Sequence, residues 1–207
     1  MAAITAHLDE AIAQGERVLL GFDFSFGYPD GFAKALTGSD SAESVWKWLA
    51  GKVKDAPDNA NNRFDVAKEI NAMFGGVGPF WGCPENVADN ILPSKGTHRR
   101  DHGQRERRHV ELAVSSAQST WKLFTTGSVG SQALMGLPCL WGLKERFGDD
   151  LTVWPHDCGF SQPDANITVV EIYPSLHPVD HLDATYQIED AKQVRAVCDA
   201  FELAQTH

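Results

Sequence analysis

The chain has 207 residues, 43% of them apolar and 22% charged, with a formal net charge of −10. That is the composition of a globular domain with material for a real core, and its acidic balance argues against an all-over nucleic-acid-binding surface. No run approaches the ~18 apolar residues of a membrane span, and Cys83, Cys139, Cys158 and Cys198 form no C-x-x-C pair, which favours reduced thiols in a cytoplasmic protein.

In chain order, Ile4, Leu8 and Ile12 recur at four-residue spacing, so 4–14 reads as a helix that Gly15 stops. An apolar strand follows from Val18 and ends on Asp23, with Gly27 and Pro29 as turn residues behind it. The strand is apolar enough to want neighbours on both sides. A helix is predicted over 41–54, with Ser41 as N-cap and Val45, Trp48 and Leu49 facing inward. Another is predicted over 62–74, closed by Gly75-Gly76. The stretch from about 75 to 110 is Gly-, Pro- and Asn-rich and reads as a long irregular basic excursion. A helix over 131–147 should kink near Pro138. Strands are predicted over 151–154 and 167–173, and a final helix over 189–204. No composition shift marks a boundary, so 1–207 reads as a single domain.

Chemistry concentrates in three carboxylates. Asp23 lies where ligands sit in open α/β sheets, beyond the carboxyl end of a strand; capping the following turn is the alternative role. Glu171 stands inside the second strong strand, as a site residue or in a buried ion pair. Asp190 opens the last helix, where a carboxylate also meets the helix dipole favourably. If two or more of them converge, they form an oxygen-ligand site suited to magnesium or manganese, the chemistry of phosphodiester cleavage.

Other segments admit both a functional and a bland reading. Lys95 to Arg108 carries six Lys or Arg against two acidic residues, a local charge of +4. Arg99, Arg100, Arg107 and Arg108 would contact phosphates if this arm is exposed and mobile, or would pair with the acidic body. Phe80 and Trp81 nearby suit base stacking or the core. Gly127-Ser128-Val129-Gly130-Ser131-Gln132 precedes a helix and offers an anion cradle at Ser131 and Gln132, or a plain turn; it is neither a Walker loop nor G-x-S-x-G. His156-Asp157-Cys158 and the pair His177 and His181 are weaker candidates for a nucleophile and a metal site.

The combination GFDFSFGYP, GSVGSQALMGLPCLWGL, VWPHD and VVEIYPSL resembles an uncharacterised domain-of-unknown-function family of predicted RNase H-like nucleases, from about Leu19 to Ala204. The resemblance implies an RNase H-like α/β fold, helix-rich, with a divalent-metal carboxylate site. It assigns Asp23 to the acidic residue of the fourth strand, Glu171 to the E-x-Y-P glutamate and Asp190 to the last helix, with Asp23 and Asp190 as metal ligands. Nucleic acid or a nucleotide is the implied partner. The chain departs from that pattern at its start: three antiparallel strands and their Asp should precede the first helix, and His156-Asp157 replaces an aromatic-acidic pair. The expectation is therefore a small sheet lacking its first three strands, with an open edge prone to self-association, and a nuclease that is inactive if the missing Asp is essential. A non-catalytic nucleotide- or partner-binding module is the rival reading. Some relatives carry molybdopterin or cobalamin biosynthesis labels, which supply a third.

Overall fold

The computed structural model describes residues 1–114, 117–179, 182 and 188–205. The chain is an α/β protein built on a small parallel sheet. Its strands are β1 (Val18–Phe22), β2 (Leu151–Trp154) and β3 (Ile167–Glu171), in spatial order β1-β3-β2. Around them lie α1 (Ala2–Gln14), α2 (Phe32–Thr37), α3 (Ala42–Ala50), α4 (Arg63–Ala72), α5 (His109–Ala113), α6 (Val129–Phe147) and α7 (Glu189–Gln205). Among the described residues no helix is long and apolar enough to cross a membrane.

The helix α6 organises the core. Ala133, Leu134, Leu137, Leu140, Leu143 and Phe147 recur at three- and four-residue spacing and are buried on one face. They meet Val45, Trp46 and Leu49 of α3 and the inward side chains of the sheet, among them Val153 and Val169. Pro138 lies inside α6 without ending the element. The helix starts two residues before its predicted position, at Val129. Trp46, not Trp48, is the fully buried tryptophan of α3, and its indole N–H donates to the Phe26 carbonyl at 2.7 Å.

The apolar strand before Asp23 has a neighbour on one side only among the described residues. β1 pairs only with β3, in parallel, from Val18 opposite Ile167 to Phe22 opposite Glu171. Its burial alternates, with Leu19 and Gly21 exposed, so one face meets the core and the other is half open. On that open face α7 leaves an apolar groove of about 320 Å³ beside Leu19, Gly21 and Ile172.

The excursion over 75–110 is anchored in its first part, whereas none of residues 95–108 is buried. Phe80 and Leu92 are fully buried. The buried Asn71 of α4 holds the segment's backbone: its amide donates to the carbonyls of Phe80 and Ile91, and its oxygen accepts the Phe80 N–H at 2.9 Å. A buried backbone must find such partners. Phe80 also joins Tyr28, Phe32 and Trp121 in an aromatic cluster with centroids 4.6–5.7 Å apart.

One close approach positions the end of β1. The ring of Phe24 lies on Gly136 of α6, where an added Cβ would stand 2.7 Å from the ring carbons. The Gly136→Ala variant should therefore lose about 1–3 kcal/mol of stability, since neither a packed ring nor a central helix can retreat freely. Urea unfolding followed by tryptophan fluorescence measures the loss.

Candidate functional site

Parallel pairing of β1 with β3 brings their carboxyl ends together, and the Ile172 N–H continues the ladder to the Phe22 carbonyl at 3.0 Å. Asp23 and Glu171 thus emerge at the same edge of the sheet. A pocket of about 160 Å³ opens there, lined among others by Asp23, Ser25, Glu111, Gln132, Glu171 and Tyr173. It is smaller than the ~300–1,000 Å³ of ordinary small-molecule sites.

Glu171 is held in a two-pronged ion pair. Its Oε1 accepts from Arg108 Nη2 at 2.6 Å and from the Tyr173 hydroxyl at 2.7 Å. Its Oε2 accepts from Arg108 Nη1 and from the Phe26 N–H, both at 2.9 Å. Burial pushes the Glu171 carboxyl up, but the hydrogen bonds and charge of Arg108 outweigh it and hold the group below the usual range. Burial also acts against the Arg108 cation, and the bonds to Glu171 and Glu111 again outweigh it, so Arg108 stays charged. The phenol of Tyr173 is pushed up by burial and then by Glu171.

Further donors of Arg108 are engaged as well. Nε donates to Glu111 Oε1 at 2.7 Å and Nη2 to Ser25 Oγ at 2.9 Å. The Arg108 N–H donates to Glu111 Oε2 at 3.0 Å, which closes a capping box at the start of α5. Glu111 is only 2% exposed. One guanidinium therefore answers two carboxylates, the buried Glu111 and the half-buried Glu171, and no bond from it to Asp23 is present among the described residues. Burial, then the charge of Asp190, then that of Glu171 raise the Asp23 carboxyl above its usual range. Asp190, on the first turn of α7, is thus close enough for its charge to act on Asp23.

The other candidates disperse. Gln132 lines the pocket, whereas the Ser131 hydroxyl donates away from it to the Leu123 carbonyl at 2.6 Å. The preceding glycine loop serves packing: a Cβ on Gly130 would meet the Thr120 carbonyl oxygen at 2.5 Å. Arg99 pairs with Glu106 at 2.7 Å and lies over the Trp81 ring, while Arg107 donates to the carbonyls of Glu111 and Ala117 at 3.0 Å. Arg100 is exposed, and among the described residues its side chain reaches only the His98 carbonyl, at 3.4 Å. These arginines do not form a common phosphate-binding face. Asp157 accepts from the Val153 N–H and pairs with Lys144, and the Cys158 thiol turns to the Ser161 carbonyl, so His156-Asp157-Cys158 builds no nucleophile with its base. His181 lies outside the described residues, and with it the His177–His181 pair.

Among the described residues, no group of three or more His, Cys, Asp or Glu is placed to hold a metal ion. Ser25, Glu111 and Tyr173 are the site residues that sequence reading passes over. Glu111 has a readable signal in its three-residue spacing from Arg108, and Tyr173 in its place two residues beyond Glu171. A scan against protein-family models and searches of curated proteins and of solved structures find no match to this chain.

Removing Arg108 leaves Glu171 and Glu111 buried without their cation, so Arg108→Ala should cost about 3–5 kcal/mol. Because the folded value of Glu171 is lowered, its contribution is complete above the ordinary glutamate value of 4.5 and fades as pH falls through the folded value. Glu171→Gln should lose that part of the acid sensitivity, seen as a flatter acid limb in stability measured against pH.

Proposed function

We propose that the chain is a divalent-cation-dependent phosphodiesterase of RNase H-like type, acting on nucleic acid at the Asp23 pocket. The observation that supports this reading most is the uncompensated Asp23 carboxylate, within the field of Asp190 and Glu171 at the carboxyl ends of two parallel strands. Hard oxygen donors of this kind suit magnesium or manganese. Magnesium takes one or two protein carboxylates, keeps several waters and completes its shell from substrate phosphate. Asp23, with Asp190 near enough for its charge to act on it, would supply those carboxylates without Glu171, whose oxygens are already engaged.

A bound cation would supply polarisation of the phosphoryl oxygen and activation of a water. It would also reverse the sign of the pocket, which otherwise repels a phosphodiester. Asp23 and Asp190 would hold the cation, and the carboxamide of Gln132 at the pocket wall can donate to a phosphate oxygen. Arg108 acts one layer behind. By fixing Glu171 it holds the ends of β1 and β3 together and orients Tyr173, whose hydroxyl proton is committed to Glu171. With a pocket of about 160 Å³, the phosphodiester enters and the bases stay outside.

One observation favours the binding-module reading: Glu171, the family's expected catalytic glutamate, has all its acceptor positions occupied. Manganese separates the two. At about 100 times its dissociation constant it should stabilise the phosphodiesterase by about 2.7 kcal/mol, and Asp23→Asn or Asp190→Asn should abolish that gain together with cleavage of a fluorescent single strand. No thermal response to manganese or magnesium would remove the proposal.

Without metal, Asp23→Asn should itself raise the melting temperature at neutral pH. The folded value of Asp23 is raised, so its ionisation destabilises the fold as pH climbs past the ordinary value of 3.8. The advantage of the variant should vanish in acid, where wild-type Asp23 is protonated. Melting curves from acid to neutral pH check the sign.

A further inference from the structure

The outer edge of β1 is a row of unused hydrogen-bonding groups. The Val18 N–H donates to the Asn166 carbonyl at 2.8 Å and the Phe22 carbonyl accepts from Ile172. With the two-residue period of a strand, Val18, Leu20 and Phe22 face β3, and Leu19 and Gly21 direct their N–H and C=O groups outward. Both residues are exposed, Leu19 at 42%, and neither backbone has a partner on that side among the described residues. Val18–Phe22 contains none of the devices that blunt an edge, such as a proline, a lysine or a bulge.

We infer that this edge pairs with the β1 edge of a second copy of the chain, antiparallel about a two-fold axis through Leu20, joining two three-stranded sheets into one of six. Three registers let outward groups meet outward groups: those centred on Leu19, Leu20 and Gly21. Charge and size select the middle one. Centred on Leu20, Arg17 lies opposite the partner's Asp23, and Leu19 lies opposite the partner's Gly21. An opposite-charge pair directly across an antiparallel ladder is favourable, and a glycine leaves room for the leucine. Centred on Leu19, Arg17 faces Gly21 and Leu19 faces itself; centred on Gly21, the apolar Leu19 faces Asp23.

The same axis explains the open groove on α7. Leu19, Gly21, Ile172, Val194 and Phe201 line it, with Val194 56% and Phe201 38% exposed. A two-fold axis perpendicular to the sheet puts both copies of α7 on one face, flanking the new strand pair, so each groove is closed by its counterpart. Isologous contacts of this kind close after two chains. Pairing also brings the partner's Arg17, whose guanidinium donates to the Pro163 carbonyl of its own chain at 2.7 Å, to the mouth of the Asp23 pocket. The inference does not rest on the phosphodiesterase reading.

Sedimentation of the full chain at on the order of 100 μM and 1 μM should show a concentration-dependent species of twice the 22.7 kDa chain mass. The Leu19 and Gly21 amides, lacking an acceptor among the described residues, should exchange at least about tenfold more slowly at the higher concentration. Leu19→Lys and Arg17→Glu should each weaken association at least about tenfold, while the exchange of the core amide of Val169 shows the fold intact. Arg17→Glu combined with Asp23→Lys should restore it. A monomer at 100 μM, a dimer indifferent to Leu19→Lys, or a charge swap that restores nothing would overturn the inference. A manganese response in a strictly monomeric chain would remove the dimer and leave the cation site, and the reverse result would do the opposite.

Discussion

The fork between Arg108 and Glu171 is the interaction on which the rest of the site depends. It joins residues 63 apart in sequence and, through Ser25, residues 83 apart. Four pieces of chain meet at one guanidinium: the end of β3, the loop after β1, the end of the basic excursion and the first turn of α5. Taking these charges out of water costs several kcal/mol for each ion, which excellent geometry can offset but seldom exceeds. The fork therefore acts less as a source of stability than as a selector of one arrangement, since any slippage strands a buried charge. The same stoichiometry leaves Asp23 without compensation: two carboxylates consume the single cation, and the neighbouring acid inherits a negative field.

Much of the secondary structure is legible in the sequence where one face is apolar and the period unambiguous. The span 151–154 coincides with β2, and the last helix runs from Glu189 as expected. Boundaries shift where local signals compete. The helix predicted over 41–54 ends at Ala50, because Gly51 follows and Asn62 reaches back to engage Lys52 and Lys54. The short α2 is invisible to a periodicity argument, being six residues between two glycines with positive φ. Trp46 and Trp48 differ by two positions, and only tertiary packing on α6 decides which is buried.

The site is less legible than the fold. Asp23, Glu171 and Gln132 can be picked out, because strand ends in parallel sheets and helix starts are where chemistry gathers. What sequence could not reveal is which of two bland roles each arginine takes. Arg99, Arg107 and Arg108 share a charge-dense stretch with Arg100, yet three are consumed by carboxylates, carbonyls and an aromatic face, and one remains outside. Local charge density cannot foresee this, because the partners Glu171 and Ala117 come from elsewhere in the chain.

The order of strands in the sheet has a consequence for the protein while it is being made. β1 leaves the ribosome well before β3, its one neighbour among the described residues, which lies some 145 residues downstream. At about 5–20 residues per second, the apolar segment Val18–Phe22 stays without its ladder for about 7–30 seconds. Throughout that interval both edges of the strand are open, and every nascent copy on the same message presents the same segment. The parallel topology thus makes the early strand a client for whatever shields hydrophobic chains during translation, and makes the completion of β3 the event that ends that exposure.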